Sequence, residues 1–276
     1  MNLSHAYRRS LLTLVLTAVA IGASAQTQTA PPFVPQSGQP GKDVIWVPTP
    51  QALVDKMLDL AKVTPQDYVI DLGSGDGRTV ITAAKRGATA QGIEYNPDMV
   101  ALSQRNAAEQ GVSNKATFAK ADLFETDFSK ATVITMFLLP SINMQLRPKI
   151  LAMKPGTRVV SNAFDMEDWH PDETAEIPDC QQWCKTLFWV VPAKVEGTWR
   201  LPQADLTLTQ SFQMLSGTLG SGSSAIQIVN GKLLGDQITF DAGSTRYTGR
   251  VNGDTMEGTQ TSGAGKGEWK ASRIRR

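Results

Sequence analysis

The stretch DYVIDLGSGDGRTV, Asp67 to Val80, sets Gly73, Gly75 and Gly77 at alternate positions between strand-forming and helix-forming residues. Asp71 precedes them, and Ser74 and Asp76 are interleaved with them. A backbone without Cβ atoms can approach a ligand closely, and a helix start offers N–H groups that have no partner within the helix. The pattern predicts a strand–turn–helix junction that meets a ligand. A dinucleotide turn would read Gly-x-Gly-x-x-Gly. Arg78 stands where its third glycine belongs. Asp71 also argues against a diphosphate, because a carboxylate repels phosphate and attracts an ammonium group.

S-adenosylmethionine has an amino-acid ammonium, a sulfonium and no phosphate, and suits an acid-flanked turn. VIDLGSGDGR resembles the first motif of the class I S-adenosylmethionine-dependent methyltransferases. The resemblance implies that the backbone from Gly73 to Gly77 lies against the methionine part of the cofactor. It implies that Glu94, at the end of QGIEYN, holds both ribose hydroxyls, since a carboxylate accepts two O–H bonds. KADLFE resembles the third motif, in which Asp122 accepts from the adenine amino group and Leu123 flanks the ring.

WVPTP…VDKMLDLA and PGTRVVSNAF followed by Trp169 resemble a branch of non-SET protein-lysine methyltransferases. That branch includes enzymes acting on a mitochondrial ATP-synthase membrane subunit and distant relatives acting on histones. The likeness implies that Thr49 lies at the rim of the cofactor pocket; local sequence equally predicts a helix N-cap. Relatives that modify amides or DNA bases carry an Asn-Pro-Pro-Tyr-type motif after the fourth strand. MFLLP, Met136 to Pro140, stands there instead, apolar and without a donor or acceptor side chain. Such a channel suits a lysine stem or a small hydrophobic acceptor. Phe137, Asn162, Phe164 and Trp169 are expected near the mouth as channel or packing residues, with Asp165, Glu167 and Asp168 on a loop there. No catalytic residue is assigned, because a direct displacement gains most from placing the nucleophile and the methyl in line.

These residues sit on alternating elements. YVIDL, TAQGIEY, ATFAKAD, ATVITMFLL and PGTRVVSNAF read as strands. Between them RTVITAAKRG, NPDMVALSQRNAAEQG and SINMQLRPKILAM read as helices, the last kinked or divided by Pro148. This grammar predicts an α/β, Rossmann-like, doubly wound and mostly parallel sheet over residues 44–191. Residues 192–276 change to short strands and glycine turns, VEGTWRL, LTLTQSFQML, AIQIV, QITF, TRYTGRV and GEWKASRI. GKLLGD and GRVNGD share one template, Gly-x-apolar-x-Gly-Asp. They predict successive hairpins in a small antiparallel all-β meander or barrel.

Composition bounds the rest. With 27 basic and 26 acidic residues the formal charge is +1, which gives no field for a nucleic-acid partner. Residues 1–25 have a basic start, an apolar run LLTLVLTAVAIG and Ala23-Ser24-Ala25, and predict a signal peptide, hence export, with a periplasmic location expected. Arg8-Arg9 resembles a twin-arginine signal, which exports folded proteins. Residues 26–43 read as a flexible leader, and no stable membrane span is expected in the mature chain. Cys180 and Cys184 are able to pair after export. No metal site is expected, because His170 is the one histidine after the signal. Competing readings are an exported, non-catalytic S-adenosylmethionine-binding protein, a small-molecule methyltransferase, and a nicotinamide oxidoreductase, which Arg78 and Asp71 disfavour. The oligomeric state is not legible.

Overall fold

In the computed structural model, which describes residues 33–274, two β systems follow one another along the chain. The signal peptide reading and the first part of the leader lie outside the described residues. A seven-stranded sheet comes first, in the order β3-β2-β1-β4-β5-β7-β6. Its parallel strands are β1 (Tyr68–Leu72), β2 (Thr89–Glu94), β3 (Ala116–Lys120), β4 (Val133–Met136) and β5 (Arg158–Asn162). The connecting helices are α2 (Arg78–Lys85), α3 (Pro97–Glu109) and α4 (Pro140–Leu151), with α1 (Gln51–Leu60) before β1. Chain reversal at β1 sends β2 and β3 to one side and β4 and β5 to the other. Ligands of such sheets bind where the order reverses, beyond the carboxyl ends of the strands.

Side chains alternate across the sheet as strand geometry requires. Val69, Val133 and Val160 pack with α1 and α2 on one face, and Ile70, Ile134 and Val159 pack with α4 on the other. Local signals explain the helix ends. Asn96 accepts from Asp98 N at 2.9 Å to cap α3, and Gly111 stops it with a φ of 70°. Pro148 lies inside α4 without dividing it. At α1 the cap position falls on Pro50, and Thr49 makes no cap bond. Its hydroxyl instead accepts from Asn162 Nδ2 at 3.2 Å, a pair of buried groups joined across 113 residues.

The sheet extends further than expected. β6 (Glu173–Glu176) and β7 (Lys185–Val190) form an antiparallel hairpin on the edge of β5, and Cys180 and Cys184 are joined by a disulfide in its tip. Trp189 of β7 and Trp169 share the α4-side core, where Trp189 Nε1 donates to Trp169 O at 2.7 Å.

The second system is a closed eight-stranded barrel with neighbours paired in chain order from β8 (Gly197–Arg200) to β15 (Gly265–Arg273). LTLTQSFQML is not one strand. Phe212, at a φ of 52°, turns the chain between β9 (Asp205–Ser211) and β10 (Met214–Leu219). The repeated template does form hairpin turns, at Gly235 between β11 (Ile226–Leu234) and β12 (Gln237–Ala242), and at Gly253 between β13 (Thr245–Asn252) and β14 (Thr255–Ser262). Aromatic rings fill the barrel. Phe240 stacks on Tyr247 at 4.7 Å, and Trp269 meets both rings edge-on. Gly249 and Gly258 face each other across β13 and β14, and a Cβ on Gly249 would lie 2.8 Å from the Trp269 ring. The interior is a packed core.

Sheet and barrel belong to one compact unit, Phe33–Arg276. Phe212 reaches from the β9–β10 turn to stack on Trp169 at 6.0 Å, beneath the Arg147 guanidinium at 5.2 Å. Gln213 Nε2 donates to His170 O at 2.8 Å, and Lys232 pairs with Asp172 at 3.0 Å. Phe212→Ala is expected to lower unfolding stability by about 2 kcal/mol, from lost burial and ring contacts, read from urea midpoints.

Candidate functional site

A cavity of about 640 Å³ opens at the carboxyl ends of β1, β2 and β4, where the strand order reverses. Thr49, Asp71, Gly73, Ser74, Gly75, Asp76, Glu94, Asp122 and Leu123 all line it. Gly77 does not. It precedes α2 with a φ of 82°, and a Cβ there would lie 2.8 Å from Phe118 and 2.9 Å from Ser103. Its bare backbone serves helix–sheet packing.

Glu94 is held by two backbone donors. Gly75 N donates to Oε2 and Asn96 N to Oε1, each at 2.9 Å. A carboxylate oxygen has two acceptor positions, so each oxygen keeps one after this pairing. Two adjacent acceptors fixed in place fit a vicinal diol.

Asp71 is the buried acid of the site. Register places it beside Thr135 of β4, whose hydroxyl donates to Oδ1 at 2.6 Å. Burial raises its pKa to about 7, with Glu94 and Asp76 adding to the rise and the Thr135 bond opposing it. Three carboxylates gathered at one turn leave a site that favours a cation. Arg78 neutralises only Asp76, at 2.6 Å, while its other arm donates to Thr49 O at 2.8 Å and fastens the segment before α1 to the glycine turn.

Asp122 departs from the simple expectation. Lys42 Nζ donates to its Oδ2 at 2.6 Å, and Phe124 N donates to Oδ1 at 2.9 Å. The Lys42 bond leads in holding the Asp122 pKa below the usual carboxylate value. Lys42 also lies over the rings of Tyr95 and Phe124, at 5.3 and 5.6 Å. It belongs to a turn that composition alone reads as flexible leader. Gly38 N donates to Trp46 O at 2.8 Å, and Trp46 N to Gln39 O at 2.9 Å. Gln39 to Thr49 wall the cavity on this side.

Of the residues expected at the mouth, Phe137 and Phe164 line the cavity. Asn162 and Trp169 are fully buried and do not, Asn162 lying under Thr49 and Trp169 in the sheet core. Asp168 pairs with Arg147. Trp183, from the disulfide-closed tip of the β6–β7 hairpin, joins the lining. A tryptophan between two cysteines is its sequence signal, but only the hairpin brings it here. Among the described residues no group of three or more His, Cys, Asp and Glu is placed to hold a metal ion.

Residues 71–173 match the ANTKMT methyltransferase domain family. A protein-lysine N-methyltransferase of Saccharolobus islandicus is 45% identical over 139 residues, covering 49% of this chain and 86% of the relative. A lysine N-methyltransferase for an ATP synthase subunit, from Rattus norvegicus, is 32% identical over 166 residues, 60% of this chain and 70% of that protein. The crystal structure of an RNA methyltransferase from Salinibacter ruber with S-adenosyl-L-homocysteine is 46% identical, with a TM-score of 0.51, and covers 54% of this chain and 96% of that one. The chain therefore belongs to the class I S-adenosylmethionine-dependent methyltransferases, on the non-SET protein-lysine branch, with an added C-terminal β barrel. It is a methyltransferase with S-adenosylmethionine as methyl donor.

Proposed function

We propose that the protein N-methylates lysine side chains of other proteins and acts after export. The observation that carries the reading is the 45% identity to a protein-lysine N-methyltransferase across 86% of that relative. The cavity lining agrees with it, since Met136 to Leu139 offer an apolar wall to a lysine stem and no group to grip a planar amide. Bound S-adenosylmethionine supplies an electrophilic methyl group on a sulfonium. Glu94 would accept from the ribose hydroxyls, Asp71 would face the cationic end, and Gly73 to Asp76 would lie along the methionine part. Asp122 and Leu123 would border the adenine once Lys42 shares or releases Asp122. Thr49, anchored by Asn162 and Arg78, fixes the rim. The apolar wall favours a neutral amine, because desolvation disfavours the ammonium. Its proton leaves to solvent before the nitrogen lone pair can attack.

Export is proposed from residues 1–25, and an oxidising compartment agrees with the Cys180–Cys184 bond. The test is labelled-methyl transfer into an extract of envelope proteins, followed by mass spectrometry of modified residues. Label on lysine Nε is expected. Label confined to RNA, or tight cofactor binding with no transfer to any acceptor, would overturn the reading. Glu94→Ala is expected to weaken S-adenosylmethionine binding by about 1.5–3 kcal/mol, roughly 10–150-fold, by isothermal titration.

A further inference from the structure

Three aromatic rings from three separate loops meet at the mouth. Phe137 follows β4, Phe164 follows β5, and Trp183 comes from the β6–β7 tip. Phe137 and Phe164 lie 6.0 Å apart and nearly parallel, at 20°. Trp183 is 5.9 Å from Phe137 and 5.1 Å from Phe164, inclined at 61° and 52°. All three line the cavity, yet Trp183 is 40% exposed. Its backbone sits at a φ of 57°, a left-handed conformation uncommon for a bulky residue outside a turn. The Cys180–Cys184 bond closes the tight loop around it.

The charge around this rim decides which ligand. Asp165 and Glu167 follow Phe164, and Glu173, Glu176 and Asp179 precede Cys180 on the β6 arm; all five are exposed, and Lys185, paired across from Glu176, is the exposed lysine of this hairpin. The faces of aromatic rings attract cations, most strongly an alkylammonium that is weakly hydrated. We propose that Trp183 is a specificity-determining residue. With Phe137 and Phe164 it forms a face that takes the alkylammonium head of an approaching lysine, and the disulfide holds it in place. This rests on the protein-lysine reading above. The face takes the charged head on arrival, and the apolar wall beyond it takes the neutral amine. Mono- and dimethyl-lysine, larger and less hydrated, gain more from the rings than the unmodified side chain does.

The test uses the mature protein saturated with S-adenosylhomocysteine, whose binding is first measured by calorimetry. Failure there would count against the cofactor site and the function proposed above, independently of the rings. With ¹⁵N-labelled protein, the Trp183 indole N–H resonance, assigned by its loss in Trp183→Phe, is followed against choline and its neutral isostere 3,3-dimethylbutan-1-ol. A saturable shift at a several-fold lower concentration of choline is expected. Equal responses to both, or a larger response to uridine or adenosine, would overturn the proposal. The Cys180→Ser/Cys184→Ser variant is expected to lose the choline preference with cofactor affinity unchanged; a retained preference would remove the holding role of the disulfide. In the labelled-methyl assay, Trp183→Ala should lower kcat/KM about tenfold or more, with Trp183→Phe within threefold of wild type. Equal effects of the two substitutions would sink the assignment.

Discussion

Asp71→Asn is expected to weaken S-adenosylmethionine binding about 100-fold or more while making the cofactor-free protein more stable at pH 8. Both effects come from one buried carboxylate. Its pKa is about 7 in the folded chain, against an ordinary value of 3.8. The folded state therefore holds a proton that the unfolded state releases as pH rises between those values. Stability falls across that window, by an amount of order 4 kcal/mol at the upper end. An amide carries no charge at any of these pH values and removes the slope. Its oxygen still accepts from Thr135, so the fold keeps its β1–β4 contact. Thermal melts of the variant should be flat from pH 5 to pH 8, several degrees above wild type at pH 8. Binding has the opposite demand, because a cationic ligand needs the ionised acid. Wild-type affinity should rise as pH rises from 6 to 7.5, with uptake of ligand releasing a proton. A variant that binds as tightly as wild type would show that Asp71 does not face the cation. S-adenosylhomocysteine keeps the ammonium without the sulfonium, so comparing the two ligands divides the effect between those charges.

Why this acid is readable, and others are not, follows from where their partners lie. Asp71, the glycine turn and Glu94 sit on consecutive strand ends, so strand–helix alternation alone brings them to one edge of the sheet. Asn96 and Gly111 act within a turn of their own helix, which local sequence determines. Thr49 has every property of a cap, but its partner is Asn162, and the bond depends on how α1 lies against β5. Lys42 is 80 residues from Asp122 in a stretch whose Gln, Pro and Gly content reads as leader. Only the folded sheet makes it part of the site. Phe212 turns the chain in a left-handed conformation with no glycine to mark it, so the alternating pattern runs unbroken from β9 into β10. β14 is hard to read for the opposite reason. Met256 is its one buried side chain, leaving almost no apolar period.

Gly75→Ala is expected to weaken cofactor binding at least about 30-fold, and Trp46→Ala in the same chain should recover a substantial part of that loss. At a φ of 54° an alanine carries backbone strain of about 1–2 kcal/mol. Its Cβ would also lie 2.5 Å from Trp46 Nε1 and 2.9 Å from Cδ1, too close for either group to stay. Two walls then move together. Displacing the indole opens the side of the cavity formed by Gln39 to Thr49, and shifting the turn disturbs the 2.9 Å bond from Gly75 N that orients Glu94. Removing the indole relieves the collision but leaves the strain. The double variant should therefore bind more tightly than Gly75→Ala alone, and coupling between the two sites should be about 1 kcal/mol or more. Strict additivity would mean that the turn is bare for the ligand itself, with Trp46 a bystander. Measured affinities of the wild type, both single variants and the double variant for S-adenosylhomocysteine distinguish the two, because every chain keeps the same acids at Asp71 and Glu94.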